Sequence, residues 1–332
     1  MSDVMRAKSA SVASGKGSMA ARTQRRINPD HLQLALPCVA LLVMLIVIFT
    51  IKPAAFSYFG FGLLFNLAVP LILASMAQML IICLGDIDLS VGNFVGFVTC
   101  VVAVFLQDKP LIAVALLAAG IAAYAGVGVL IQLRGLPSII VTLGMSFVWL
   151  GLALLILPSP GGNAPDWLTG AMSLQPPWIP LPLLIAVVVA ALGQWLLKRS
   201  AYGVVLLGAG ANPRAAARAG WSLLRARIVM YGAAGVLAVV SGLTLSGLTT
   251  SGDPNIAPTY TLLGVGAVIL GGGSFTGGLV SPVGTVVGAM TLSLAGSLLS
   301  FLNVPPVWQV GAQGVILFLV LAGRVFIGQG KR

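Results

Sequence analysis

Long apolar stretches, parted by short joints rich in glycine, proline or charge, fill the chain from residue 34 almost to its end. They predict helices near 34–51, 62–84, 91–106, 111–132, 138–157, 181–197, 228–250, 259–272, 280–302 and 307–323. Most approach the roughly 20 residues that a helix needs to cross a bilayer. The runs are continuous, unlike the alternating segments of about ten residues that build a membrane β-barrel. The expected fold is therefore all-α and polytopic, with about ten transmembrane helices.

The joints carry most of the remaining information. Between the second and third runs stands Gly85-Asp86-Ile87-Asp88-Leu89-Ser90-Val91-Gly92. Ionisable groups at the end of a span are costly, so they face a cavity, a partner or a pathway. Asp86 and Asp88 thus have two readings: a cap on the next helix, whose dipole favours negative charge there, or a gate or lining of a path. Segment 198–227 contains Asn212-Pro213-Arg214-Ala215-Ala216-Ala217-Arg218-Ala219-Gly220. Asn at an N-cap, Pro at the first helical position, alanines and a closing Gly describe a short helix marked at both ends. It reads as a connector or as a knob gripped by a partner. Segment 271–288 is rich in glycine, with Gly272, Ser274 and Gly277 among its residues. That much glycine weakens a helix, which predicts a broken or re-entrant element there. Gly92 with Gly96, and Gly284 with Gly288, permit close helix crossing. Residues 91–96 also resemble 283–288, an internal similarity of the kind many transporters carry.

Composition supports the membrane class: 58% of residues are hydrophobic and 8% charged, with a mean hydropathy of +1.06. The net charge of +11 suggests nucleic acid until its distribution is read. With a cytoplasmic N-terminus, the only basic residues on outside segments are Lys52 and Lys109, of 18 Lys and Arg in the chain. That asymmetry is a topology signal and puts both termini in the cytoplasm; attraction to anionic lipid headgroups adds to it. Residues 1–30 read as a disordered basic cytoplasmic tail, and 31–332 as the membrane domain. Loop 158–180, with its prolines, Trp167 and Trp178, reads as an interfacial anchor or a docking surface. Cys38, Cys83 and Cys100 read as inert buried thiols.

Chemistry of other kinds finds little material. No phosphate-cradling or dinucleotide motif is present. The chain has one His, and its seven acidic residues are all Asp. No catalytic residues, cofactor or metal are expected, and any energy for active transport must come from an ion gradient or a separate ATPase.

Three of these motifs have counterparts in one family. Gly85 to Gly92 resembles the Gly-Gly-Ile-Asp-Leu-Ser-Val-Gly motif of ribose/xylose/arabinose-type ABC permeases. Gly210 to Gly220 is similar to their cytoplasmic coupling-helix segment, and Gly271 to Ala289 to their glycine-rich stretch. The resemblance covers about residues 35–323. Departures include Asp86, where the family usually has Gly, and Arg214, where it commonly has Glu. The resemblance implies a non-catalytic permease subunit of an ATP-driven importer in the bacterial inner membrane, for a simple sugar or related polyol. It implies a cytoplasmic ABC ATPase, a periplasmic sugar-binding protein and a second permease chain as partners, in a homo- or heterodimer. Gly85, Asp86, Asp88, Ser90, Gly92, Gly272, Ser274 and Gly277 become gating or translocation candidates; Asn212, Arg214, Ala215, Ala216, Arg218 and Gly220 become the ATPase contact. The alternative is an ion-coupled secondary transporter using Asp86 and Asp88.

Overall fold

The computed structural model describes residues 29–305, 308, 309, 311–315 and 318. The expected basic tail and most of the expected last span, with the C-terminus, lie outside these residues. By its contacts the chain divides after Leu32, and Gln33–Arg332 form one compact unit.

Thirteen α-helices follow one another between Pro29 and Phe301: α1 (Pro29–Ile51), α2 (Tyr58–Asn66), α3 (Ala68–Cys83), α4 (Val91–Val101), α5 (Pro110–Arg134), α6 (Ser138–Ile156), α7 (Asp166–Met172), α8 (Leu181–Gln194), α9 (Ala201–Ala211), α10 (Pro213–Arg218), α11 (Leu223–Thr249), α12 (Thr259–Leu270) and α13 (Pro282–Phe301); the described residues beyond Trp308 are helical too. α4 and α8 each continue into a wider turn, to Leu106 and Arg199. Among the described residues five helices are long and apolar enough to cross a membrane, and six if α2 and α3, bent by 45°, count as one span. The expected spans near 34–51, 91–106 and 259–272 are present as shorter apolar helices.

Sequence explains the layering. α3 is apolar on every side apart from Ser75 and Gln78, and all of its residues from Ala68 to Cys83 are buried. A helix without a polar face belongs inside. α11, α12, α13 and α4 pack around it. α5, α6 and α8 lie at the periphery, with exposed apolar residues such as Leu111, Ile140, Phe147, Leu155 and Val187 on their outer sides. In water such faces would drive aggregation; in a bilayer they meet lipid of matching polarity. α11 spans about 40 Å at 1.5 Å per residue. Its α7 end carries Gly247 against Leu168 and Met172, and its other end follows α10 directly.

Two stretches between helices are irregular and pack into the bundle, the first buried or half-buried along its length, the second a series of turns with Asn255 and Pro258 exposed. Residues 86–90 lead into α4, and residues 252–258 lead into α12. The second runs antiparallel to α4. The Thr99 hydroxyl donates to the Asp253 carbonyl at 3.3 Å, Gly96 faces the Pro254 carbonyl, and Gly92 faces those of Ala257 and Pro258. The Gly92 N–H donates to Thr261 Oγ1 at 3.0 Å, so the starts of α4 and α12 adjoin.

Three expectations are corrected here. The glycine-rich segment is not a broken helix: it is the turn of a hairpin, in which Gly271 meets Gly284 and Ala267 meets Gly288. Non-helical backbone falls instead before α4 and α12. The glycine pairs thus seat neighbours within the chain, Gly284 and Gly288 under α12, Gly92 and Gly96 against 254–258. Segment 198–227 holds a second helix, α9, too short to register as a span. Cys83 and Cys100 are buried, but Cys38 is exposed.

Candidate functional site

The three motif segments, far apart in sequence, meet at the α10 end of α11. The Gly278 N–H donates to the Cys83 carbonyl at 2.8 Å, joining the glycine-rich turn to the end of α3. Gly277 has φ +80°, and a β-carbon there would stand 2.7 Å from the Gly210 carbonyl oxygen and 2.9 Å from the Gly85 nitrogen. Both the left-handed backbone and the crowding require glycine. A β-carbon on Gly210 would collide with the Cys83 carbonyl. Gly85, Gly277 and Gly210 therefore form one backbone-to-backbone hub. Gly272 and Ser274 sit in the same turn, where Ser274 Oγ pairs with Thr276 Oγ1 at 2.8 Å. Both Ser274 and Thr276 stand near the surface rather than lining a buried path.

α10 projects beside this hub. Asn212 Oδ1 accepts from the Ala215 N–H at 3.0 Å, the N-cap read from the sequence. At the other end Gly220 adopts φ +86°. The Trp221 N–H reaches the Ala216 carbonyl and the Gly220 N–H the Ala217 carbonyl, a Schellman turn that closes the helix. Asn212, Arg214, Ala215, Arg218 and Gly220 are exposed, and only Ala216 is half-buried. The helix is rigid at both ends and bare along its length.

The acidic segment is buried and fully engaged. Asp88 is 1% exposed. Its Oδ1 accepts from the Ser90 N–H and the Ser90 hydroxyl, both at 2.7 Å, and its Oδ2 accepts from the Tyr124 hydroxyl at 2.8 Å. Asp88 thus stabilises a turn two residues on, and does not cap α4, whose N-cap Ser90 makes no side-chain cap. Asp86 is paired instead with Arg227 of α11, Nε to Oδ2 at 3.2 Å, and accepts from the Tyr231 hydroxyl at 3.3 Å.

The irregular backbone of residues 87–89 has side-chain partners from two helices, α6 and α3. The Ile87 N–H donates to Ser138 Oγ at 3.1 Å, and the Leu89 N–H to Thr142 Oγ1 at 3.0 Å. Gln78, its amide oriented by this network, donates to the Asp88 carbonyl at 3.1 Å and accepts from the Asp88 N–H at 3.2 Å. Irregular backbone inside a membrane bundle is tolerated only when its polar groups are satisfied in this way. Sequence reasoning missed Gln78, Tyr124, Ser138, Thr142, Arg227 and Tyr231 as members of this site. Gln78 carried a signal, as one of the few polar residues in the 62–84 run. Ser138 and Thr142, four apart, share one face of α6.

Among the described residues no group of His, Cys, Asp or Glu is placed to hold a metal ion. The arrangement suits mechanical work: a bare, capped helix stands on a glycine hub beside a buried break in the bundle.

Fold and site define a multi-pass α-helical membrane protein of the transporter kind. The chain belongs to the family described as branched-chain amino acid transport system / permease component, whose model matches residues 60–321. It is 30% identical to the probable ABC transporter permease protein YphD of Escherichia coli (strain K12), over 77% of this chain and 79% of that one. It is 29% identical to the ribose import permease protein RbsC of the same strain, over 85% and 91%. It is 30% identical to the L-arabinose ABC transporter permease protein AraH of Azospirillum brasilense, over 74% of each chain. No solved structure matches it significantly. By this membership the protein is an ABC transport permease.

Proposed function

We propose that this chain is the membrane subunit of an ATP-driven importer that carries a simple sugar or related polyol across the bacterial inner membrane. A second permease chain, the same or a related one, completes the pathway. A cytoplasmic ABC ATPase grips α10, and a periplasmic binding protein delivers the substrate. Ribose and L-arabinose permeases among the relatives support the substrate class. About ten spans and cytoplasmic termini follow from the run pattern and the positive-inside asymmetry.

The observation that carries the reading is the convergence of the three motif segments beneath α10. A partner that moves α10 moves a rigid, capped helix whose base is keyed to the end of α3 and to the α12–α13 hairpin. ATP binding and hydrolysis on that partner would then shift the balance between inward-open and outward-open bundles. The ion-coupled alternative needs carboxylates free to bind a proton or cation, whereas Asp86 and Asp88 are held by Arg227, Tyr231, Ser90 and Tyr124.

The test is Ala216→Trp. The added volume should clash with any groove that closely holds α10, so ATPase copurification and uptake both fall while membrane insertion stays normal. Full ATPase recovery and full uptake would reduce α10 to a connector. Uphill uptake by the chain alone, driven by a proton or sodium gradient, would overturn the ABC reading.

A further inference from the structure

Asp86 and Arg227, 141 residues apart, are joined twice. Arg227 Nε lies 3.2 Å from Asp86 Oδ2, and Arg227 Nη2 donates to Asp86 Oδ1 at 3.4 Å. The guanidinium therefore engages both carboxylate oxygens, a directional arrangement that a lysine point charge or an apolar contact does not reproduce. One helical turn further along α11, the Tyr231 hydroxyl closes on the same carboxylate at 3.3 Å. The side chains are only 23% and 10% exposed.

The pair connects two elements with different duties. Arg227 stands in the first turns of α11, and four residues, Ala219 to Ser222, separate α11 from α10. That linker has little slack. Its near end is the Schellman turn at Gly220, and its far end is Ser222, whose side chain caps α11 by accepting from the Arg225 N–H at 3.3 Å. A cleft of about 30 Å³ runs between the two helices, lined by Pro213, Leu223, Arg227, Ala209 and Leu84. The first residue of α10, the basic residue of the pair and the residue before Gly85 thus share one small space. Asp86 opens the irregular segment 86–90. That segment is tied to α3 through Gln78, to α5 through Tyr124 and to α6 through Ser138 and Thr142. Asp86 supplies its tie to α11.

We infer that Asp86 and Arg227 form a clasp that transmits displacement of α10 to the irregular segment 86–90, with Asp86 a positioning residue rather than a site for substrate or ion. The inference rests on the proposed ATPase coupling. An ion pair beside a narrow cleft has two distinct states. Closed, the charges satisfy each other in a low dielectric; opened by a few ångströms, each is hydrated by water entering the cleft. Packed bundles amplify small shifts through such two-state contacts. An apolar contact at the same place would slide without a switch.

The experiment uses the permease reconstituted with its ATPase and binding protein, and reads three quantities: ATPase copurification, substrate uptake, and ATP hydrolysed per substrate carried. Asp86→Asn and Arg227→Gln should keep ATPase copurification at the wild-type level, lower uptake about tenfold, the scale of a modest coupling free energy, and raise the ATP used per substrate. Arg227→Lys, which keeps charge but loses the fork, should retain an intermediate uptake. Joining Asp86→Arg with Arg227→Asp should recover uptake relative to either single change. Wild-type uptake and stoichiometry in both Asp86→Asn and Arg227→Gln would overturn the clasp. So would loss of ATPase binding and thermal stability in step with uptake, which marks a structural pair. If a single variant fails to reach the membrane, the exchanged pair decides: recovered uptake supports the clasp, and a folded, inactive exchange overturns it. Failure of the wild-type chain to bind any ATPase overturns the function proposed above, an outcome distinct from all of these.

Discussion

Both carboxylate oxygens of Asp88 are taken by protein donors, and this decides what a substitution there does. Asn preserves the acceptor that holds Ser90 but turns an amide toward Tyr124, whose hydroxyl then loses a charged partner. Hydrogen bonds to charged groups contribute about 1.5–3 kcal/mol. Asp88→Asn and Tyr124→Phe should therefore each lower stability by about that amount. The double variant should cost less than the sum, because both changes break one contact. Thermal unfolding in detergent of the four proteins measures this, and strict additivity would sever the Asp88–Tyr124 link. Asp88 stood out in the sequence through its motif, but its partners did not. Tyr124 lies 36 positions away in a helix that is apolar up to Gln132, where a phenol resembles any other buried aromatic. Asp86, read as a departure from the family motif, has its explanation in Arg227, which the sequence showed only as one of many positive charges facing inside.

At the scale of elements, α9 separates what periodicity reveals from what packing requires. Its run, Ala201 to Ala211, contains Gly208 and Gly210 two residues apart. A β-carbon on Gly208 meets nothing within 4 Å, whereas one on Gly210 strikes the Cys83 carbonyl. Gly208→Ala should be neutral or slightly stabilising, by up to about 1 kcal/mol, since Ala is the better helix former. Gly210→Ala should destabilise by about 1–3 kcal/mol, because the obstacle is backbone that cannot rotate aside. Melting temperatures of the two variants at equal expression test the contrast; equal effects would remove the hub at Cys83, Gly210 and Gly278. α10, by comparison, was legible in full. Asn212, Pro213 and Gly220 act on their own few residues, and local chemistry is what a sequence displays.

At the scale of the whole molecule, α11 sets one end of the bundle against the other. α10 and the hub lie at one end. At the other the Gly161 and Gly252 backbones exchange hydrogen bonds at 3.0 and 2.9 Å, and α7 packs nearby. In the proposed topology, which rests on the positive-inside asymmetry, the first end faces the cytoplasm. On a Cys-free background, Ala211→Cys should resist an impermeant thiol reagent in intact cells and react in inverted vesicles, while Asp166→Cys should do the reverse. Labelling of Ala211→Cys from outside would invert the topology and, with it, the side on which a nucleotide-driven partner can reach α10.

The sequence by itself determined the membrane class, the all-helical fold, most of the apolar runs and the capped helix at 213–218, and it marked out the three motif segments. These follow from hydropathy and from caps and turns whose partners lie within a few residues. Only the tertiary structure decided that three of those segments share one hub, that the breaks precede α4 and α12, and that Asp86 meets Arg227. The physical reason is that such contacts depend on how helices are rotated and stacked against one another. A one-dimensional pattern of apolar residues leaves that rotation open, most of all in a helix such as α3, where nearly every side is equally greasy.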